Sequence, residues 1–405
     1  MARTFAAFGV AVAMLGCTTT GPAAGIGAVD PGVADVPGDL PATGDAIDTD
    51  ATARDALSPG QVAGAVWISE PRPAFFDFAV AHHLTLTAIF HWSGERTAAI
   101  ETWLAFFKEA ERRGIPLRIS PLPETPDKPG GSYLAARDAQ RDLDRVWDFV
   151  TTYQAEGLQP ATIVLDIEGR DPGNLSGSLI RFAMLESAAD RDALIAEALP
   201  PRAHAEAVAA YQAFVDRGHE AGWKVAATSM PMLANDGCDG ANIQRALGTP
   251  ITGVQWDFLT LQAYRTLTYP EFRDLELPFP TGYYVYRIAK VLHDTWGARG
   301  GVDLGLTSVN LIQGSEDDYQ SFAEWGEDLA AARAAGIASD LVVPFRLELM
   351  FDSKEPADPA AWFADIPEPS APPDKDQVTD LLLQIWCLAD TRLGPLLPAD
   401  PPAGP

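Results

Sequence analysis

ATIVLDIEG, residues 161–169, is an apolar run of strand length that ends in two carboxylates. Side chains of a strand alternate between its two faces, so Asp166 and Glu168 project on the same side as Val164. Placing two acids beside a protein core costs free energy unless partners, solvent or a function compensates. The stretch therefore predicts either a functional acid pair at the carboxyl end of a buried strand or the beginning of a solvated loop.

Seven more apolar runs of strand length occur along the chain, and helical patterns fill the gaps between them. Between the second and third runs, Ile100, Trp103, Leu104 and Phe107 recur at the spacing of one helix face. Eight alternations of strand and helix are typical of a (β/α)₈ barrel, with a doubly wound sheet as the alternative. The eight runs are Val62–Ser69, Leu84–Trp92, Pro116–Leu122, Thr162–Glu168, Lys224–Met230, Phe258–Tyr264, Val302–Val309 and Leu341–Leu349.

The composition of the chain changes on both sides of this region. Residues 1–17 are interpreted as an export signal, and residues 18–59 as a flexible acidic tether rich in Ala, Gly, Pro and Asp. Residues 60–365 form the predicted barrel, with helices expected in the long excursion after the fourth strand. Residues 366–405 combine a Pro-rich linker, a short helix over 377–393 that packs back on the domain, and a tail.

The end of the signal segment, Met14-Leu15-Gly16-Cys17, resembles the bacterial lipobox, in which cleavage precedes a Cys that is then lipid-modified. This resemblance implies an exported lipoprotein in the cell envelope, on the periplasmic or outer-surface side, anchored through Cys17. The alternative is an ordinary secretory signal with an incidental Cys. No later run has the length of a membrane helix, so any membrane attachment is expected to be through lipid.

Charge and cysteine content narrow the classes of ligand and partner. Asp and Glu outnumber Lys and Arg by 56 to 29, which gives a formal net charge of −27 and argues against nucleic acid or an anionic membrane surface. We expect a neutral or cationic ligand, no metal or other cofactor, and a monomer. Three cysteines are too few for a disulfide scaffold. Cys238 and Cys387 could pair in an oxidising compartment or remain two thiols.

In a barrel the carboxyl ends of all strands meet at one face, which is where barrel enzymes place their chemistry. Each candidate has a structural alternative: His91 as a satisfied structural histidine, Trp92 as core, Tyr264 as a packing residue, and Arg346 with Glu348 as an ion pair. The candidates on that face are Asp166 and Glu168 from the fourth strand, His91 and Trp92 from the second, Arg118 from the third, Gln262 and Tyr264 from the sixth, and Arg346 and Glu348 from the eighth.

An Asp-x-Glu fourth strand followed by a Gln-x-Tyr sixth strand resembles the chitinase-like glycoside hydrolases of family 18 or a more distant barrel glycosidase. The resemblance implies that Glu168 is the general acid, that Asp166 orients the substrate's N-acetyl group and tunes the acid, and that Tyr264 steadies the reacting sugar. Two acids that precede this pair in the family's motif are absent here, and Val164 stands in the place of one of them.

These residues favour a glycoside hydrolase that acts on a polysaccharide, with Gln262, His91, Trp92, Arg346 and Glu348 as substrate-binding candidates. A carboxyl group that stays protonated near neutral pH is what glycoside cleavage requires, and a second carboxylate close by raises its pKa. Two other hypotheses stay open. One is a surface-tethered glycan-binding lipoprotein that lacks catalysis, and the other is metal-dependent hydrolysis through His91, Asp166 and Glu168.

Overall fold

A computed structural model describes residues 64–124, 134–169, 172–235, 241–268, 278–309, 318–353, 355–363 and 371–400. Eight parallel strands close into one barrel in chain order, β1 to β8. The predicted (β/α)₈ barrel is confirmed, whereas a doubly wound sheet would leave two open edges. The predicted signal, lipid-modified Cys17, the acidic tether and Cys238 lie outside the described residues.

The observed strands follow the apolar runs of the sequence closely at most of their ends. The eighth predicted strand is too long, because β8 ends at Phe345 and a helix begins at Leu347. β7 begins two residues earlier than predicted, at Gly300, because glycines give no apolar signal, and it ends at Gly305, four residues before the predicted end. The strands are β1 (Gly64–Ile68), β2 (Leu84–Trp92), β3 (Leu117–Pro123), β4 (Thr162–Ile167), β5 (Lys224–Ser229), β6 (Leu259–Gln262), β7 (Gly300–Gly305) and β8 (Val342–Phe345).

Amphipathic helices surround the barrel. The second helix buries Ile100, Trp103, Leu104 and Phe107, as their spacing predicts, and the side chain of Thr97 caps its first turn. The helices are α1 (Ala74–Ala81), α2 (Ala98–Arg112), α3 (Ala139–Ala155), α4 (Pro172–Leu185), α5 (Ala188–Glu197), α6 (Pro201–Glu220), α7 (Asn242–Leu247), α8 (Gly282–Trp296), α9 (Phe322–Ala334), α10 (Leu347–Asp352) and α11 (Gln377–Leu393).

Three helices, α4, α5 and α6, lie between β4 and β5, and α11 packs against two helices on this side of the barrel. Arg392 of α11 donates a hydrogen bond of 2.7 Å to the carbonyl of Ala183 in α4. Asp390 of α11 accepts a hydrogen bond of 3.2 Å from the backbone N–H of Ile243 in α7. The large apolar side chains that α11 buries are Leu382, Leu383, Ile385, Trp386 and Leu393. Among the described helices, none combines the length and apolar composition needed to cross a bilayer.

Strand register decides which side chains enter the barrel. Paired residues of neighbouring strands point to the same side of the sheet, and Asp166 of β4 pairs with Thr228 of β5, which pairs with Thr260 of β6. Gln262 of β6 pairs with Asp303 of β7. Because Thr228 and Thr260 both hydrogen-bond to Asp303, all of these side chains face the interior. The barrel therefore encloses a polar layer near its carboxyl-terminal end.

Candidate active site

The two acids of β4 lie side by side at the carboxyl-terminal end of the barrel. Asp166 is 3% exposed and Glu168 is 7% exposed, so the structure makes them a buried pair and not the start of a solvated loop. Gly169, which follows them, has a φ of +82°, and a Cβ there would lie 2.3 Å from the carbonyl oxygen of Leu247. Glycine at this position therefore lets the chain turn sharply after Glu168 and pack closely on α7.

Gln262, the last residue of β6, bridges the acid pair. Its side-chain amide donates to Glu168 Oε1 and lies 3.4 Å from Asp166 Oδ1. β4 and β6 are not neighbours, because β5 lies between them. The amide therefore reaches across one strand to fix both carboxyl groups. The sequence predicts Gln262 as a substrate-binding residue, and the structure places it as a direct partner of both acids.

Burial raises the pKa of both carboxyl groups. The pKa of Asp166 lies well above its ordinary value, chiefly because burial penalises the charged form, and the negative charge of Glu168 adds to this. Burial also raises the pKa of Glu168 to about 7, although hydrogen bonds from Gln262 and Asp166 act to lower it. The hydrogen bond between the two carboxyl groups acts in opposite directions, raising the pKa of Asp166 and lowering that of Glu168, and Glu168 becomes protonated as the pH falls through about 7.

A third carboxyl group, Asp303 of β7, lies in the barrel interior and is 1% exposed. It accepts hydrogen bonds from Trp67 Nε1 at 3.2 Å, from Thr260 Oγ1 at 2.8 Å and from Thr228 Oγ1. Its negative charge raises the pKa of both Asp166 and Glu168. Asp303 was not among the residues predicted from the sequence. The available signal was a lone acid between Val302 and Leu304 in an otherwise apolar strand.

The two candidates from β2, His91 and Trp92, lie on opposite faces of the strand. His91 is exposed and alternates with the buried side chains of Phe90 and Trp92. Trp92 is buried against Phe149 of α3, with ring centroids 5.3 Å apart. The prediction that Trp92 binds substrate at the mouth is therefore wrong: strand alternation turns its ring outward, into the layer between the barrel and the helices.

Tyr264 lies just beyond the end of β6 and is nearly buried. Its ring is 5.4 Å from that of Phe345 at the end of β8, and Phe345 is 6.0 Å from the indole of Trp67 in β1. These three aromatic side chains line the barrel between β6 and β1. Tyr264 is thus at the same end of the barrel as Glu168 and two residues beyond Gln262.

Arg346 and Glu348 do not continue a strand, and the prediction that they share one strand face is wrong. Arg346 precedes α10 and Glu348 lies within it. Glu348 is 2% exposed and accepts a hydrogen bond from Arg346 Nε at 2.7 Å. It also accepts from the backbone N–H of Ser69 at 3.0 Å and from the Ser69 hydroxyl. Glu348 is therefore a buried link between α10 and the end of β1, in agreement with the ion-pair alternative.

The opposite, amino-terminal end of the barrel holds a separate cavity of about 580 Å³. Arg118 lines it, because this residue is the second of β3 and not near that strand's carboxyl end. Its guanidinium lies 4.5 Å from the ring centroid of Phe258. The expectation that Arg118 reaches the mouth is therefore wrong. No group of three or more His, Cys, Asp and Glu side chains in the described part of the chain is arranged to hold a metal ion.

No family model matches this chain, and no curated protein matches its sequence. A chitinase from Chromobacterium violaceum ATCC 12472 is 12% identical, with a TM-score of 0.36 over 60% of this chain and 68% of its own. A Cellulomonas fimi endo-beta-1,4-mannanase double mutant is 13% identical, with a TM-score of 0.38 over 75% of this chain and 62% of its own. A Prevotella bryantii endo-beta-mannanase/endo-beta-glucanase is 11% identical, with a TM-score of 0.44 over 81% of this chain and 49% of its own.

Proposed function

We propose that this chain is a glycoside hydrolase that acts on a cell-envelope or extracellular polysaccharide, with Glu168 as the general acid. The observation that carries the proposal is the buried pair of Asp166 and Glu168 at the carboxyl-terminal end of a closed barrel. A general acid must be protonated near the working pH, and burial raises the pKa of Glu168 to about 7.

In this mechanism Glu168 donates its proton to the glycosidic oxygen as the bond from that oxygen to the anomeric carbon breaks. Asp166 orients the reacting group of the substrate and holds Glu168 in place. Gln262 fixes the two acids relative to each other, since it donates to both. Tyr264, just beyond the end of β6, supplies a hydroxyl to the bound sugar.

The positions of the acids support one choice of attacking group. Asp166 and Glu168 project from one strand and cannot flank a sugar from opposite faces, as two separate catalytic carboxylates must. Glu348 is held by Ser69 and Arg346 and is almost fully buried. An acetamido oxygen of the substrate is the nucleophile that needs no third acid. The proposed substrate therefore contains N-acetylhexosamine, and Glu168 later takes a proton from the water that completes hydrolysis.

The test is product release from N-acetylglucosamine polymers, peptidoglycan and a panel of other polysaccharides, using protein that lacks residues 1–60. Glu168→Gln should lose at least a hundredfold of the activity while glycan binding is retained, because a positioned acid contributes about 10²–10⁴-fold. Glu70→Gln is the matched control, since Glu70 follows β1 on the same face and is exposed in an ion pair with Arg72. Glycan binding without cleavage by the parent protein would replace this proposal with the non-catalytic, tethered binding protein.

The proposed location is the cell envelope, with attachment through a lipid on Cys17. Labelled fatty acid should be incorporated into the full chain expressed in bacteria and not into its Cys17→Ser variant. Equal incorporation by the two chains would contradict this attachment site, and no incorporation by either would favour an ordinary secretory signal.

A further inference from the structure

Asp303 makes polar contacts that the packing of a barrel interior does not require. The interiors of such barrels are usually filled by branched apolar side chains, and a buried carboxylate costs free energy that an apolar residue would not. Here Trp67, Thr228 and Thr260, from three different strands, all donate to the one carboxyl group. Three donors directed at one carboxyl group favour its ionised form. The donors around Asp303 therefore stabilise a negative charge at the centre of the barrel, against the burial that raises its pKa.

The same contacts tie this charge to the acid pair. Asp303 is the register partner of Gln262, whose amide donates to Asp166 and Glu168. Thr228, which donates to Asp303, is the register partner of Asp166. A single side chain therefore separates Asp303 from the acid pair on each of two sides: Thr228 of β5 on one and Gln262 of β6 on the other. A rigid carboxylate at such a place acts on the protonation of both acids through like-charge repulsion.

We propose that Asp303 is a positioning residue of this site, whose fixed charge keeps a proton on the pair of Asp166 and Glu168. The proposal rests on the proposed function only for the use of that proton, which is its donation by Glu168 as the general acid. The proposed effect, retention of a proton on the pair, agrees in direction with the electrostatics, since the Asp303 charge raises the pKa of both acids. The pKa of Asp303 itself lies above its ordinary value, chiefly because of burial, while its three donors and Arg118 act to lower it.

The other charged or titratable groups on the surrounding strands are few. Arg118 of β3 and Lys224 of β5 lie at the amino-terminal end, and Arg118 acts on Asp303. At the carboxyl-terminal end lie His91 of β2, Tyr264 after β6, and Arg346 with Glu348 after β8. Arg346 is paired with Glu348, so its charge is balanced locally. Asp303 is therefore the one among these groups whose negative charge is held inside the barrel next to the pair.

The experiment measures the titration of the acid pair directly, so it does not depend on activity. Protein labelled with ¹³C at the Asp and Glu carboxyl carbons is titrated by NMR between pH 4 and pH 9. Carboxyl groups that titrate near neutral pH stand apart from the exposed ones, and the signals of the pair are those that Glu168→Gln removes or shifts. Asp303→Asn, which has nearly the same shape without the charge, should lower the apparent pKa of the pair by about one unit or more.

Thr260→Val is the matched control, because it removes a neutral donor and leaves the charge, and it should shift the titration by much less. An unchanged pair titration in Asp303→Asn would overturn the proposal whether or not the protein cleaves a glycan. If Asp303→Asn does not fold, Asp303→Ser replaces it, with the same expected shift and the same contrary result. Where the parent protein is active, the basic limb of the pH profile of Asp303→Asn should lie at lower pH than that of the parent, by the same shift as the titration of the pair. Absence of activity in the parent overturns the proposed function and leaves the NMR result to decide this inference.

Discussion

The proton affinity of Glu168 results from two opposing sets of contacts. Burial and the charge of Asp303 raise the pKa, while hydrogen bonds from Gln262 and Asp166 stabilise the ionised form and lower it. Removing one of these side chains should therefore change the pKa of Glu168 in a predictable direction. The pH dependence of the reaction is therefore the most direct way to test the roles of single residues.

The first prediction concerns the basic limb of the pH profile. A general acid works only while protonated, so kcat/KM should be highest below pH 7 and fall about tenfold for each further unit above the pKa of Glu168, which is about 7. The measurement is kcat/KM between pH 4 and pH 9 at constant ionic strength. A rate that stays constant from pH 6 to pH 9 would contradict the assignment of Glu168.

The second prediction concerns Gln262→Met. The amide of Gln262 stabilises the ionised form of Glu168, so its loss should raise the pKa of Glu168 further and move the basic limb to higher pH. This shift is opposite in sign to the one expected for Asp303→Asn. Gln140→Met, on the exposed face of α3, is the control and should leave the profile unchanged. A shift to lower pH in Gln262→Met would show that the amide does not act as we describe.

At the scale of elements, the barrel depends on side chains that join strand ends to the helices. The register between β1 and β8 includes the pair Trp67 and Phe345, and Glu348 of α10 adds hydrogen bonds to Ser69 just beyond β1. On the other side of β7, Arg265 joins the end of the β6 region to α9 through Asp328, with 3.2 Å between Nε and Oδ1. The carboxyl groups of both links, Glu348 and Asp328, are buried, so the energetic effect of these links should exceed that of surface ion pairs.

The third prediction separates a structural role of Glu348 from a catalytic one. Glu348→Ala leaves the N–H of Ser69 without its acceptor and should lower the free energy of unfolding by about 1–3 kcal/mol. Hydrolysis by the folded variant should stay within about tenfold of the parent, because Glu348 touches no substrate in the proposed mechanism. Urea denaturation and kcat/KM are measured on the same preparation. Wild-type stability with a thousandfold loss of activity would instead make Glu348 the second catalytic acid.

The fourth prediction concerns Arg265, which is 2% exposed. Arg265→Met removes the cation beside the buried Asp328 and should destabilise the fold by about 3–5 kcal/mol in urea denaturation at pH 8. Adding Asp328→Asn should restore part of this loss, because the uncompensated acid is then gone. Glu327→Gln, which alters the exposed partner of Arg265, should change stability by less than about 0.5 kcal/mol. Equal effects of Arg265→Met and Glu327→Gln would argue against a buried pair.

At the scale of the whole molecule, the chain beyond the barrel is part of the fold. α11 begins after the Pro-rich segment and packs on α4 and α7, the helices on the side of the barrel that follows the acid-bearing strand. Asp376 caps its first turn and also accepts a hydrogen bond of 2.7 Å from Thr281 at the start of α8. α11 therefore ties together helices that are far apart in sequence.

The fifth prediction is that removing residues 371–405 destabilises the barrel. The deletion exposes the surfaces that contact Leu382, Ile385, Trp386 and Leu393, and burial of one such side chain is worth about 1.5–3 kcal/mol. We expect a loss of at least about 5 kcal/mol in the free energy of unfolding, with a lower Tm by circular dichroism. Removal of residues 1–60 is the comparison. An unchanged Tm after the C-terminal deletion would mean that α11 contributes no net stability.

Much of the fold and part of the site follow from local pattern alone. Alternation of side chains along a strand fixes that Asp166 and Glu168 share one face, and eight apolar runs separated by helical periods imply the barrel. Gln262 and Tyr264 could be identified because they repeat the same two-residue spacing on another strand. These inferences succeed because period and chain order are properties of neighbouring residues.

The remaining features depend on contacts between residues distant in sequence. Trp92 faces the helices because its place in the strand alternation is opposite to that of His91, and Glu348 lies in a helix because the chain turns after Phe345. Asp303 gained a role only when β1, β5 and β6 placed three donors around it. The barrel and the acid pair can thus be predicted from the sequence, since both follow from short-range periodicity. Only barrel closure decided what surrounds that pair, because burial and charge coupling arise between strands that the sequence keeps far apart.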